Sequence, residues 1–386
     1  MKLNILAIVT YIAFVVLAVK MTPASEALLH DAGTYYELAL SGSRTSFIDP
    51  GYPSVLSLIM RVFGSNNFIA LQVSNYIFWG ISSYLIYLSL KKVNAKKAKF
   101  TGFLMLFSPL FLTFSAKLYS EPLASLGISL LLYGATVYGW LPSILGSIIL
   151  GSTKSLFIPG IIIFSIYYLW KRDLKKFIPL FVGVVILIPI FISSLGGGRS
   201  LYNLSIERAK MEQSYDQILA CAPYYLSYPL GQKFLPLYEG VCHQNDPTPD
   251  LPGYESNPYI NAMEIRENGF TYSDWWQSII HHPIKYLLVF LVALSNLVLF
   301  EGVYPSILLQ MPNWLIPILF VVAKLCLTSY LWLKVIKVGK INWLYTAPLL
   351  YLILMIGNFQ VEPRYIYPLI PYIYFLSGLD HNKKSI

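Results

Sequence analysis

Long apolar runs alternate with short polar segments along the chain, beginning with Leu3–Met21. About 20 apolar residues are enough for a helix to cross the hydrocarbon core of a membrane. The pattern therefore predicts about ten or eleven membrane-spanning helices. We expect them at Leu3–Met21, Phe68–Leu90, Phe100–Phe114, Pro122–Tyr138, Leu141–Leu150, Leu156–Trp170, Phe177–Leu195, Ile284–Phe300, Trp314–Leu333, Trp343–Gly357 and Ile366–Leu379.

The composition favours the same class. Of 386 residues, 56% are hydrophobic and 12% charged, which is far from the balance of a soluble domain. An aromatic content of 16% excludes a disordered chain. We therefore predict an all-α polytopic membrane protein, with residues 1–386 forming a single integral membrane domain in an inner or plasma membrane.

The net charge of +9 does not point to nucleic acid, because the basic residues cluster between apolar runs. Such clusters mark cytoplasmic loops, here Lys91–Lys99 and Lys171–Lys176. That orientation puts two long loops, residues 22–67 and 196–282, on the periplasmic or exterior side. The short turns that carry Lys117 and Lys154 then lie on this side too.

A late basic cluster, Lys334–Lys340, does not fit simple alternation. If Ile284–Phe300 crosses the membrane once, this cluster falls outside. An element between His282 and Pro312 would then be re-entrant or interfacial, or the cluster would break the rule.

Both outer loops are longer than connectors need to be. The pattern in loop 22–67 predicts two short amphipathic helices along the interface, Thr34–Leu40 and Pro53–Val62. Loop 196–282 is a candidate lid or small subdomain. It contains Cys221 and Cys242, for which a structural disulfide is plausible on the outer side.

Several kinds of chemistry lack their sequence signals. The chain has no phosphate-binding P-loop, no dinucleotide fingerprint, no HExxH and no CxxC motif. His281 and His282 are adjacent, but a lone pair before a proline is more often the end of a loop. We therefore predict no metal site, and no cofactor is firmly indicated.

Five short segments at the predicted outer turns resemble motifs of one enzyme family. They are His30–Ala39, Asp49–Leu56 with Phe63-Gly64, Ser120–Leu123, Leu150–Lys154, and Arg364-Tyr365 with Pro368 and Pro371. Their order resembles that in the GT-C glycosyltransferases, which use polyprenyl-phosphate sugars. Protein O-mannosyltransferases and the aminoarabinose transferase of lipid A belong to that superfamily.

The chain also departs from this pattern. Asp49 stands in a region where some relatives carry lysine, and Ala32, rather than a second acidic residue, follows Asp31. We also expect no large C-terminal soluble domain after the apolar runs.

The resemblance implies a GT-C-like bundle that transfers a sugar from a polyprenyl-phosphate donor to a hydroxyl, with inversion. The donor would be a lipid-linked sugar, and the acceptor a glycan, lipid or protein. Membrane lipids would surround a monomer or weak oligomer, and no nucleic acid would bind.

A hydroxyl needs a base as it attacks, and a carboxylate can serve. Asp31 is the predicted catalytic base, Asp49 is the alternative, and Tyr35 supports Asp31 one helical turn away. The departing phosphate gains negative charge, so nearby cations would stabilise it. The predicted phosphate-binding residues are Lys117, Lys154, Arg364 and Tyr365. Glu121 is expected to orient one of the lysines, and Lys117, four residues away, is the first candidate.

Plainer roles compete with each of these assignments. Asp31 would also serve as the N-cap of a helix. Each cation would also serve as an interfacial charge that reaches toward water. Lys117 and Glu121 would also form an ordinary i,i+4 pair.

Two rival functions remain. An O-antigen polymerase or ligase would rely on outer-loop arginines, here Arg199, Arg208 and Arg266. A lipid or solute transporter would need a polar path through the spans, of which the sequence shows little.

Overall fold

The structure is a computed structural model of the chain. It describes residues 2–28, 31–43, 49–93, 95–108, 115–137, 139–196, 315–341 and 363–379, with scattered single positions between 280 and 353. Each regular element in this part of the chain is a helix.

Twelve α-helices are described, and two 3₁₀ helices join some of them. The 3₁₀ helices are Ser155–Phe157 and Pro363–Leu369. The α-helices are α1 (Lys2–Met21), α2 (Ala24–Ala27), α3 (Asp31–Ser41), α4 (Gly51–Phe63), α5 (Phe68–Val93), α6 (Ala95–Leu106), α7 (Glu121–Val137), α8 (Trp140–Thr153), α9 (Ile158–Trp170), α10 (Leu174–Gly196), α11 (Leu315–Ile341) and α12 (Ile370–Gly378).

The chain divides into two compact units. The first comprises Met1–Ile192, Ala323–Leu352 and Tyr367–Ile386, and the second Ser193–Val322 and Ile353–Ile366. Of the second unit, the structure describes the end of α10, the start of α11, the first residues of a 3₁₀ helix and single positions. The packing described below belongs to the first unit.

Small residues let α7 and α8 pack backbone to backbone. A Cβ on Gly127 would lie 2.8 Å from the Leu150 nitrogen, and one on Gly146 2.7 Å from the Leu131 nitrogen. At such distances an alanine would push the helices apart. The close contact fixes the end of α8 beside the start of α7.

Helix α12 lies in the centre of the first unit. All nine of its residues are buried, against α5, α6 and α7. The Ser125 hydroxyl on α7 donates to the Tyr367 carbonyl just before α12, at 3.3 Å. The core therefore surrounds the start of α7, where Glu121 lies.

The prediction of a polytopic membrane protein is wrong. No helix among the described residues is both long enough and apolar enough to cross a membrane. The predicted spans that lie among the described residues are therefore wrong, as is the location in an inner or plasma membrane. The assignment of the active site to a periplasmic or exterior membrane face falls as well. Ile284–Phe300 and Trp343–Gly357 lie mostly outside the described residues.

For the shorter helices the physical reason is their length. Helices α7, α8, α9 and α12 have 17, 14, 13 and 9 residues, fewer than the roughly 20 that a crossing needs. The longer α5 buries Gln72 and Asn75 within its apolar sequence. An apolar run thus predicted a helix at the right place, but the run did not predict what surrounds that helix.

Helices do occur where two short amphipathic ones were predicted. Residues 34–40 lie within α3, and 53–62 lie within α4. The described residues exclude 197–279, so Cys221, Cys242 and almost all of the predicted lid lie outside them, as do Arg199, Arg208 and Arg266.

Candidate functional site

A buried ion pair joins the beginning of α7 to the end of α8. The Lys154 Nζ donates to Glu121 Oε1 at 3.1 Å, and these side chains are 10% and 1% exposed. Lys154 ends α8 in an extended conformation, with φ −145° and ψ 90°. Glu121 is the first residue of α7. Removing a single charge from water is costly, so these two side chains are stable in a buried position only because they pair with each other.

A second carboxylate, two residues before α4, reaches the same turn. Asp49 Oδ2 accepts a hydrogen bond from the Ser155 backbone N–H at 3.0 Å. Ser155 directly follows Lys154, so Asp49 and Glu121 bind consecutive residues. Gly51 permits this approach, because a Cβ there would lie 2.6 Å from the Ser152 hydroxyl and 2.7 Å from its carbonyl carbon.

Helix α3 joins the cluster through Tyr35. Its hydroxyl lies 3.4 Å from the Ser120 hydroxyl, and either can donate. Its ring also packs edge-on against Tyr52, with centroids 5.3 Å apart. Ser120 directly precedes Glu121, so the helix that Asp31 begins is tied to the residue before the ion pair.

Buried amides of α5 hold the segment that carries Lys117. The Asn75 side chain donates to the Lys117 carbonyl at 2.7 Å and accepts from the Tyr52 hydroxyl at 3.1 Å. Gln72 donates to the carbonyls of Thr22 and Ala116, both at 3.0 Å. These bonds fix the irregular segment 115–120 against α5.

The Glu121 carboxylate also acts on two buried tyrosines. Burial raises the pKa of Tyr367, and the negative charge of Glu121 raises it further. Burial raises the pKa of Tyr52 as well; a hydrogen bond from its hydroxyl to Asn75 opposes the shift, and Glu121 and Tyr35 add to it. Both phenols therefore stay protonated at neutral pH.

Two buried polar atoms beside the ion pair lack partners. Within the described part of the chain, Glu121 Oε2 and Thr153 Oγ1 have no hydrogen-bond partner. Buried polar atoms are nearly always bonded, so such an atom needs an explanation. A bound ligand or an ordered water would supply one.

An apolar cavity of about 40 Å³ lies near this turn. Two residues that line the cavity are close to Lys154 in sequence: Leu150 lies one helical turn before it, and Phe157 lies three residues after it. The other residues that line the cavity come from α7, α9, α10 and α12. They are Ile128, Leu131, Leu132, Ala135, Gly160, Ile161, Phe164, Leu180 and Tyr372.

The structure brings four of the five sequence motifs together in the first unit. Asp31 begins α3, while its side chain lies outside the described ones. The Leu118 N–H donates to the Ala27 carbonyl at 3.1 Å, so the segments that carry Asp31 and Lys117 lie side by side.

The fifth motif is divided: Pro368 and Pro371 belong to the first unit, where Ser125 binds the neighbouring Tyr367 carbonyl. Arg364 and Tyr365 lie in a 3₁₀ helix and belong to the second unit, and their side chains are outside the described ones. Their assignment to the phosphate stays a prediction.

Three residues of the site, Gln72, Asn75 and Tyr52, were not predicted from the sequence. A signal was present, because Gln72 and Asn75 are three residues apart and interrupt an apolar run. Polar residues at that spacing share one helical face. Among the described residues, no group of three or more His, Cys, Asp or Glu is placed to hold a metal ion.

Comparisons with models of protein families, with curated proteins and with solved structures give no match to this chain.

Proposed function

We propose that the protein is a glycosyltransferase that moves a sugar from a polyprenyl-phosphate donor to a hydroxyl acceptor. The observation that carries the proposal is the buried pair of Lys154 and Glu121, at the meeting point of four motifs with GT-C resemblance. One cation and two carboxylates from distant parts of the chain meet at this turn, and such a set suits phosphate departure with proton removal.

Lys154 would bind the donor phosphate. In the transfer, the bond between the anomeric carbon and the phosphate oxygen breaks, and the lipid phosphate leaves with an added negative charge. An ammonium group held in a buried site stabilises that charge more than it would in water. Glu121 fixes the ammonium in place, and Lys117, whose main chain Asn75 holds, is a second candidate cation.

Asp31 would take the proton of the acceptor hydroxyl as the new bond to the anomeric carbon forms. A base in that position typically contributes about 10²–10⁴-fold. The link from Tyr35 to Ser120 supports this role, because it ties the helix of Asp31 to the residue before Glu121.

The surroundings also suit an amphiphilic donor. The apolar cavity, which Leu150 and Phe157 help to line, places apolar side chains close in sequence to the proposed phosphate site. The unpartnered Glu121 Oε2 and Thr153 Oγ1 suit hydroxyl or phosphate groups that complete their hydrogen bonding.

The test is sugar transfer by purified protein. Radiolabelled polyprenyl-phosphate hexoses and pentoses would be mixed with glycan, lipid and peptide acceptors, and the released polyprenyl phosphate measured with the labelled product. We expect equal amounts of the two. Asp31→Asn should lower the rate about 100-fold or more. Glu37→Gln, an exposed change on the same helix, should leave it unchanged.

Three outcomes would oppose the proposal in different ways. Full activity of Asp31→Asn would remove Asp31 as the base. Activity that needs Arg199, Arg208 and Arg266 but not Asp31 would favour the polymerase or ligase class. No turnover of any lipid-phosphate sugar would remove the function itself.

A further inference from the structure

The start of α4 and the end of α8 are built to touch at their main chains. A Cβ on Gly51 would come within 2.8 Å of the Ser152 carbonyl oxygen as well as within 2.7 Å of its carbonyl carbon. Because these are backbone atoms, no side-chain rotation would relieve the contact. The two helix ends are therefore held at a fixed distance, and Asp49 lies at this junction.

The Asp49 carboxylate binds the peptide unit that follows Lys154. The Ser155 N–H that donates to Asp49 Oδ2 belongs to the same peptide plane as the Lys154 carbonyl. Two main-chain bonds flank this peptide. The Lys154 N–H donates to the Leu150 carbonyl at 2.9 Å, and the Phe157 N–H donates to the Lys154 carbonyl at 3.0 Å. Holding this peptide fixes the ψ angle of Lys154.

We infer that Asp49 is a positioning residue for Lys154. By holding the Lys154–Ser155 peptide where α8 ends, the Asp49 carboxylate directs the lysine side chain into its bond with Glu121. Only one part of this inference, the binding of the donor phosphate by Lys154, rests on the proposed function. It differs from the alternative role of Asp49 as a general base.

The two roles predict opposite results for one substitution. Asparagine keeps a side-chain oxygen that accepts from the Ser155 N–H, but it cannot take a proton from a hydroxyl. Asp49→Asn should therefore retain the position of Lys154, whereas Asp49→Ala should lose it. If Asp49 were the base, the two variants would be equally impaired.

A first measurement needs no substrate. The coupling between Lys154 and Glu121 would be obtained from urea unfolding of Lys154→Met, Glu121→Gln and the double variant, in three backgrounds. We expect the coupling of the wild-type background to persist with Asp49→Asn and to fall with Asp49→Ala. Equal coupling in all three backgrounds would overturn the inference, whatever reaction the protein performs.

A second measurement uses the donor. With Asp49→Ala, we expect the KM for the polyprenyl-phosphate sugar to rise about tenfold or more, with a smaller change in kcat. Asp49→Asn should stay within about threefold of the wild type in both constants. A loss of kcat of about 100-fold in both variants would overturn the inference and favour the base.

Ser155→Pro provides an independent variant that leaves Asp49 and Lys154 intact. It removes the N–H that Asp49 binds, at the first residue of a 3₁₀ helix, and Lys154 before it lies outside the α region that proline disfavours. We expect it to reproduce the KM effect of Asp49→Ala, and an unchanged KM would overturn the inference. Asp173→Ala, at an acidic residue paired with Lys176, serves as the control and should change neither the coupling nor the KM.

Discussion

Lys154 Nζ lies 3.1 Å from Glu121 Oε1, and the two residues come from opposite ends of a helical hairpin. Helices α7 and α8 run from Glu121 to Thr153, so the hairpin returns the chain to its starting point. The close packing around Gly127 and Gly146 sets the separation of the two ends. The ion pair therefore closes a hairpin whose geometry the small residues define.

Breaking this pair should destabilise the fold strongly. Lys154→Met and Glu121→Gln, each alone, leave one buried charge without its partner, and we expect a loss of about 3–5 kcal/mol. The double variant should recover most of that loss, because neither charge remains. Urea unfolding of the four proteins measures the effect.

The pair of Lys176 and Asp173 is the matched control. It spans 3.5 Å, and its side chains are more exposed. Its removal should cost less than about 1 kcal/mol. Equal costs at the two pairs would show that the Lys154–Glu121 pair is not specially buried.

The amide of Asn75 should matter for stability more than its size suggests. Asn75→Leu removes the donor to the Lys117 carbonyl and the acceptor of the Tyr52 hydroxyl, both in buried surroundings. Each lost bond should cost about 1–3 kcal/mol. Adding Tyr52→Phe should recover part of the loss, because the tyrosine hydroxyl without its acceptor is then removed. Chemical unfolding measures both variants. If the losses of the two substitutions simply add in the double variant, Tyr52 and Asn75 are not coupled.

Gly51→Ala should separate α4 from α8. The new methyl would meet the Ser152 main chain below 3 Å, and we expect a loss of about 1–3 kcal/mol in thermal unfolding. Gly80→Ala is the control, since its nearest neighbour would be the Tyr11 ring at 3.3 Å, a side chain and not main chain. Equal stability of the two variants would contradict a close main-chain contact between α4 and α8.

Stability should fall steeply at alkaline pH. Burial raises the pKa of Tyr52 and Tyr367 in the folded state well above the 10.0 of an exposed tyrosine, so the folded state keeps protons that the unfolded state loses. Stability is therefore fully present below pH 10 and is lost as the pH rises above it.

Each such tyrosine should contribute about 1.4 kcal/mol per pH unit in that range. Unfolding at pH 8 to 11 would measure the slope, and Tyr52→Phe should reduce it by one tyrosine's share. If Tyr52→Phe leaves the slope unchanged, the raised pKa of Tyr52 in the folded state is contradicted.

The sequence predicted where helices lie but not what they pack against. The apolar runs Phe68–Leu90 and Pro122–Tyr138 correspond to helices Phe68–Val93 and Glu121–Val137. Helix α5 buries Gln72 and Asn75 and leaves Ile69 and Ile77 exposed, so an apolar run does not by itself establish a span. The prediction of spans was wrong because no described helix is both long enough and apolar enough to cross a membrane.

The partner of Glu121 shows a second limit of sequence reasoning. The i,i+4 spacing favoured Lys117, but residues 117–120 are not helical and α7 begins only at Glu121. The i,i+4 geometry therefore does not exist there. Lys154 takes the position instead, through a contact across 33 residues that local spacing cannot reveal.

Binding of polyprenyl monophosphate is the measurement that tests the phosphate site most directly. The wild type and the Lys154→Met/Glu121→Gln variant, which should remain folded, would be titrated with polyprenyl monophosphate and with the uncharged polyprenol. We predict that the wild type binds the phosphate at least about tenfold more tightly than the alcohol and that the variant loses this preference. An unchanged preference for the phosphate in the folded variant would contradict the role of Lys154.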